Sequence, residues 1–218
     1  MLESESYYKG RWGEIILIGM FLVDRWSIVV TADYSGPGGA HAPLMHQLEA
    51  NIVIADLDIS KFGVRMWCDA KVKSSFFRWR KTGRVQTGID HRHYRQYLRL
   101  EQTTGIPVVL GMIDLTTGDV MCNTLAGLGE PRYSDPDTTG FDIVNWDRDK
   151  FRRIWKLNPA RLRRLMFDGK IVRRPPDAIP PHAKLQAMVE FLRPEQGELP
   201  LLHFDVMAQF ERLQARRR

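Results

Sequence analysis

The chain has 218 residues, 44% of them hydrophobic and 27% charged, a globular composition that excludes a wholly disordered or fibrous protein. The net charge of +6 favours polyanionic partners. With only two cysteines, Cys68 and Cys122, no disulfide framework is implied and a reducing, cytoplasmic setting is the expectation.

Residues 5–22 are expected as a helix, because Tyr8, Trp12, Ile15, Ile16, Gly19 and Met20 recur at three- and four-residue steps. Asp24-Arg25 interrupts the apolar run 15–30, which therefore reads as a buried helix followed by a strand at 27–31 rather than a membrane span. Residues 35–40 form a loop by composition. Residues 51–59 and 64–73 are both strand-like, and 60–63 between them is short enough for a hairpin containing a glycine. In the second of these strands, Met66, Cys68, Ala70 and Val72 share one face, and Trp67, Asp69, Lys71 and Lys73 share the other. The pattern predicts a half-buried strand with chemistry on its polar side.

Residues 74–89 are basic and aromatic, broken by Gly83 and Gly88. Asp90 then suits the N-cap of a helix over 91–103, closed by Gly105 and Pro107. Residues 107–113 and 119–125 read as two strands joined through Thr116-Thr117-Gly118. The order, helix, three strands, helix, two strands, predicts an α/β fold with a mixed central sheet and flanking helices. Residues 127–140 are a connector rich in Gly, Pro and Asp; 147–155, 159–167, 183–192 and 204–214 are expected as helices. The expected organisation is a core over 1–125 and a basic, mainly helical extension over 126–218.

Charge is unevenly spread. Residues 1–70 carry five Lys/Arg against nine Asp/Glu, a net of −4; residues 71–100 carry nine against Asp90 alone, a net of +8. Residues 148–174 carry eleven against two, a net of +9. Acids beside a basic stretch suit metal-assisted chemistry on a phosphate polymer, although a solvated charged face has the same composition.

The hairpin would bring Asp56 close to Asp69 and Lys71, since paired strands lie about 4.8 Å apart. Two carboxylates there can hold a hard divalent cation, and the lysine can orient a water or offset charge on a pentavalent phosphate. Asp58, on the face of Asp56, is an alternative ligand, and an exposed same-face ion pair is the alternative for Asp69 with Lys71. Lys73, Arg78, Arg80, Lys81 and Arg84 are candidate contacts to nucleic-acid phosphates, with Phe76, Phe77 and Trp79 as stacking platforms. His41, His46, His91 and His93 offer no structural-zinc spacing. Residues 36–39 lack the Gly-Lys-Ser/Thr of a phosphate loop.

An acid followed thirteen residues on by acid-x-Lys in a hairpin partner resembles the PD-(D/E)xK nuclease superfamily, whose restriction-endonuclease-like fold is built on an αβββαβ core. Ala55-Asp56 matches its proline-acid position, with alanine for proline. Asp69-Ala70-Lys71 matches its acid-x-Lys, with Asp where Glu is commoner. Glu14 matches the acid often supplied by the first helix. His93 and Tyr97 match the polar residue and the tyrosine four later in the second helix, with His where Gln is common. The resemblance spans about residues 5–125. It implies Mg²⁺ or Mn²⁺ held by Asp56, Asp69 and the Ala70 carbonyl, a catalytic set of Lys71, Asp69, Asp56 and Glu14, His93 beside the nucleic acid, and endonucleolytic hydrolysis of DNA. Many enzymes of this group act as homodimers. The alternative is a non-catalytic nucleic-acid-binding protein, or an accessory subunit of a larger DNA-processing complex, that retains the fold.

Overall fold

In the computed structural model, which describes residues 5–31, 44–45, 52–79, 83–134 and 142–194, the first helix α1 (Glu5–Val23) is buried continuously from Arg11 to Phe21. A helix that is apolar on all sides needs cover on all sides. One side lies on the central sheet: a Cβ added at Gly13 would stand 2.6 Å from Val72 Cγ2. Another side meets α5 (His182–Leu192), where a Cβ at Gly19 would stand 2.9 Å from Val189 Cγ2. Glycines at both seams let backbone approach side chain more closely than alanine allows.

The chain then forms β1 (Ser27–Val30), β2 (Leu44–Met45), β3 (Ile52–Val53), β4 (Leu57–Lys61) and β5 (Val64–Lys73). The strand expected over 51–59 is thus two strands interrupted at 54–56, and Asp56 sits at the mouth of β4 rather than mid-strand. The β4–β5 turn is only Phe62-Gly63, both at positive φ (51° and 79°), as a two-residue type I′ hairpin requires. After β6 (Phe77–Arg78) and β7 (Val85–Asp90) comes α2 (His91–Thr104). The Asp90 carboxylate accepts from the Arg92 amide at its start, and Gly105 in the left-handed region ends it. Two strands follow, β8 (Val108–Asp114) and β9 (Asp119–Thr124). At their turn the Asp114 carboxylate accepts from the Thr116 and Thr117 amides at 2.8 and 3.3 Å.

The remaining described elements are α3 (Leu125–Leu128), β10 (Arg132–Tyr133), β11 (Ile143–Asp147), a 3₁₀ turn (Arg148–Lys150), β12 (Arg152–Lys156), α4 (Pro159–Met166), β13 (Phe167–Asp168), β14 (Ile171–Val172) and α5. The six-stranded sheet has the order β1-β4-β5-β8-β9-β12, antiparallel except for the parallel β5–β8 pair. The order α1-β1-β4-β5-α2-β8 is the expected αβββαβ core, and α2 is the crossover that makes a parallel neighbour possible. A second sheet, β10-β11-β7-β6, is antiparallel throughout. No helix among the described residues is long and apolar enough to cross a membrane.

Three expectations are corrected. Residues 147–155 are not a helix: they close β11, turn at Arg148–Lys150 and pair as β12 with β9, because Ile154 and Trp155 find their burial on the sheet. Part of the basic aromatic segment is ordered into β6 and β7. Finally, β5 is not half-buried, for α1 covers its Met66, Cys68 and Ala70 side while Trp67 joins the apolar cluster under α2 on the other. Residues after 125 are built into this core as well: Leu162, Met166, Leu185 and Val189 pack in the same cluster as α1. The proposed helix 204–214, the loop 35–40, His41 and His46 lie outside the described residues, as do Arg80 and Lys81.

Candidate active site

β4 and β5 pair from Lys61↔Val64 to Leu57↔Cys68. One step further along that register, Asp56 stands opposite Asp69, and directly opposed residues of an antiparallel pair share a face. β1 fixes the Asp56 backbone: the Thr31 amide donates to the Asp56 carbonyl at 3.1 Å, and the Thr31 hydroxyl donates to the Ala55 carbonyl. Beyond Leu57 the ladder is open, and the Asp56 carboxylate occupies the gap, accepting from the Ala70 amide at 3.1 Å. In an extended strand the N–H and C=O of one residue point to the same edge, so the Ala70 carbonyl faces the same gap.

Asp69 is almost wholly enclosed, at 1% exposure. Tyr97, on the buried side of α2, donates its hydroxyl to Asp69 Oδ1. Lys71 Nζ lies 2.8 Å from both Asp69 oxygens and makes its hydrogen bond to Oδ1. Asp69 Oδ2 therefore has an ion-pair neighbour, yet no hydrogen bond among the described residues. A buried oxygen in that condition asks for a further partner.

The acids crowd one another. Burial, the Asp69 charge and the Glu14 charge raise the Asp56 carboxyl well above the ordinary range, against the smaller opposing pull of Lys71 and the Ala70 amide. Burial disfavours the Lys71 ammonium, but Asp69 and Asp56 outweigh it and its pKa is raised, so the group is charged. Lys73, two residues along the same face, has the opposite fate: burial and the neighbouring Lys71 push it down to about 8. Tyr97 is also raised well above its usual value by burial and Asp69, which keeps it a phenol able to donate.

Of the other candidates, Glu14 is buried on α1 and bound by Arg11 at 2.9 Å, near enough for its charge to act on Asp56 and Lys71. His93 stacks on Tyr97 with ring centroids 6.2 Å apart, and burial together with Lys71 lowers its pKa. Asp58 is held by Arg65 in a bidentate pair, with contacts of 2.6 to 3.1 Å at the surface, so the alternative ligand is drawn away from the gap. Arg78 donates to the Gly83 carbonyl at 2.9 Å, while Phe77 and Trp79 rings lie 6.2 Å apart. Arg84, expected to face phosphates, spends a guanidinium nitrogen on the buried Asp147 at 2.7 Å. Cys68 and Cys122 are buried thiols whose pKa values burial raises, so neither is a nucleophile.

Two features escaped sequence reasoning. The depressed pKa of Lys73 depends on how deeply the end of β5 is enclosed, which spacing does not disclose. The Tyr97–Asp69 bond had a visible signal in the residue's place four after His93, although burial alone accounted for a tyrosine there.

Two oxygen-donor side chains, Asp56 and Asp69, the second with an unsatisfied buried oxygen, and a carbonyl facing the same gap fit a hard divalent cation. Among the described residues no group of three or more Asp, Glu, His or Cys side chains closes around one point. No family model matches the sequence, and no curated protein matches it. Among solved structures, the chain is similar to Hjc from Archaeoglobus fulgidus, a Holliday junction resolvase from an archaeal hyperthermophile, with a TM-score of 0.43 and 8% identity over 65% of this chain and 90% of that one.

Proposed function

We propose that this chain is a metal-dependent nuclease that hydrolyses phosphodiester bonds of DNA, as an endonuclease. The observation that carries the reading is the convergence of Asp56, Asp69 and Lys71 at the open end of the β4–β5 ladder. Asp56, Asp69 and the Ala70 carbonyl would hold Mg²⁺ or Mn²⁺, which supplies Lewis-acid polarisation of a phosphoryl oxygen and lowers the pKa of a bound water. Lys71, charged and fixed by Asp69, orients the attacking water and offsets negative charge on the phosphorane rather than acting as a base. Tyr97 holds the Asp69 carboxylate in place. Glu14, bound to Arg11, adds negative potential that strengthens the cation site. Lys73, Arg78, Arg80, Lys81, Arg84 and His93 would contact the substrate backbone.

The test is cleavage of single-stranded, duplex and branched DNA with and without Mg²⁺. Asp69→Ala and Lys71→Ala should each lower cleavage by about 10²-fold or more while circular dichroism and much of the DNA affinity stay unchanged. Activity retained in both variants, or in excess chelator, would overturn the assignment.

A second reading keeps the fold and the nucleic-acid binding without hydrolysis, in an accessory subunit of a DNA-processing complex. It is favoured by the absence of a third acidic or histidine ligand at the Asp56–Asp69 gap among the described residues. Duplex binding without cleavage of any of the three substrates would select it.

A further inference from the structure

Where β5 ends, a second basic feature is formed by parts of the chain that the catalytic proposal does not use. A cavity of about 470 Å³ lies between the first turns of α1, the end of β5, α4 and the β13–β14 hairpin. Four cations converge on it, Lys9, Arg163, Arg164 and Lys170, and no carboxylate lines it among the described residues. Leu115 and Phe167 give it an apolar wall.

The cations are held differently. Lys9 Nζ lies 2.6 Å from the exposed Glu5 carboxylate and 5.8 Å from the centre of the Phe167 ring. Arg163 Nε donates to the Leu115 carbonyl at 3.4 Å, which ties the guanidinium to another residue of the cavity wall. α4 is started by Asn158, whose side chain accepts from the Arg161 amide, so Arg163 and Arg164 project from an anchored helix. Gly169, at φ 60°, turns the hairpin that presents Lys170. Elsewhere in the molecule similar clusters are neutralised internally: Arg148, Arg153 and Lys156 all turn to the buried Asp119, and Arg84 and Arg132 to Asp147. Among the described residues the cavity has no such internal acid.

We propose that this cavity is a phosphate-binding site. Resting on the nuclease reading, its occupant is a backbone phosphate of the strand being cut, held away from the scissile bond. Ser74, on the cavity wall, is three residues beyond Lys71, about 10 Å at the rise of an extended strand; the cavity opens on the α1 side of the sheet and Lys71 faces the α2 side, so a strand that reaches both places passes around the end of β5. Arg guanidinium groups suit phosphate oxygens because their donors form a planar fork, and Lys adds point charge. Such contacts fix the register of the strand over the catalytic residues without reading its sequence.

The test uses the whole chain in chelator, so that binding is measured without cleavage. Arg164→Glu with Lys170→Glu should weaken binding of a short fluorescein-labelled duplex by roughly 10-fold or more and make its log affinity–log salt slope shallower by about one to two. Arg164→Lys with Lys170→Arg should preserve both, which separates charge from fold. Inorganic phosphate at constant ionic strength should compete with the duplex for the natural chain and lose that effect in the reversed variant. Unchanged duplex affinity in the reversed variant, with no competition by phosphate, overturns the proposal. Heat of phosphate binding that the reversal abolishes, in a chain that binds no duplex, would establish the cavity as a site for a free phosphate compound and defeat the nuclease reading alone. Cavity-dependent duplex binding without cleavage in Mg²⁺ would likewise defeat only the catalytic assignment.

Discussion

Asp56 is a buried acid placed beside another acid, and the fold tolerates it at a cost. A carboxyl whose pKa is raised on folding binds protons more tightly in the native state than in the unfolded chain. Stability therefore falls as pH rises through its titration, and the full penalty applies above the folded pKa. Asp56→Asn should remove that penalty while keeping an oxygen for the Ala70 amide. The metal-free variant is expected to melt higher, by about 2–4 °C for each kcal/mol recovered in a chain of this size, while losing cleavage. Thermal denaturation in chelator reads the first and a nicking assay the second; a lower melting temperature would contradict the account of the gap. Lys73 carries a separate expectation. With its pKa pushed to about 8 it is charged below that pH and neutral above it, so phosphate binding beside it takes up a proton. DNA affinity should fall as pH rises through about 8, and Lys73→Arg, which stays charged, should flatten the profile in an anisotropy titration.

Close approaches between elements set which small residues are replaceable. In β7 a Cβ at Gly88 would stand 2.2 Å from the Val144 carbonyl and 2.3 Å from Asn145 Oδ1 on β11, a clash with backbone that cannot be turned aside. In β8 a Cβ at Gly111 would meet Leu17 Cδ1 at 2.6 Å, the far end of a flexible side chain. Gly88→Ala is accordingly expected to cost about 2–3 kcal/mol and Gly111→Ala about 1 kcal/mol, measured by urea unfolding. Equal costs would mean that the second sheet yields more easily than its geometry implies. The same closeness explains why β7 was hard to see in sequence: glycine reads as a breaker, and here it marks the point where two strands come together. Asp90 and Gly105, by contrast, act within one turn of the chain, and α2 was legible to a single residue at its end. The turn at Phe62-Gly63 was legible as a short hairpin, but the left-handed conformation of Phe62 was not.

At the scale of the whole molecule, basic segments and buried acids are matched across the fold. Much of the positive charge at 148–156 is used internally, with burial opposing the Asp119 carboxylate and Lys156, Thr117 and Arg148 together holding its pKa below the ordinary value. Lys73 at the end of β5 and the cations of the α4 cavity are among those that a polyanion would meet. If the Asp56–Asp69 gap holds a divalent cation, Mn²⁺ should raise the melting temperature of the natural chain with increasing concentration, by the linkage of binding to folding. Asp69→Ala should abolish that rise. A melting temperature indifferent to Mn²⁺ would count against the cation site independently of any cleavage assay.

The sequence by itself determined the local structure and the acid-x-Lys spacing: α1, β5, α2, β8 and β9 follow from periodicity and caps, because those signals act over a few residues. The tertiary structure decided the rest. Only pairing with β9 made 152–156 a strand, since a basic segment containing Ile154, Trp155 and Phe151 satisfies either period until a partner is present. Only the enclosure of β5 by α1 and α2 buried Asp69, raised Asp56 and lowered Lys73, because desolvation depends on what packs above a residue and not on its neighbours in the chain.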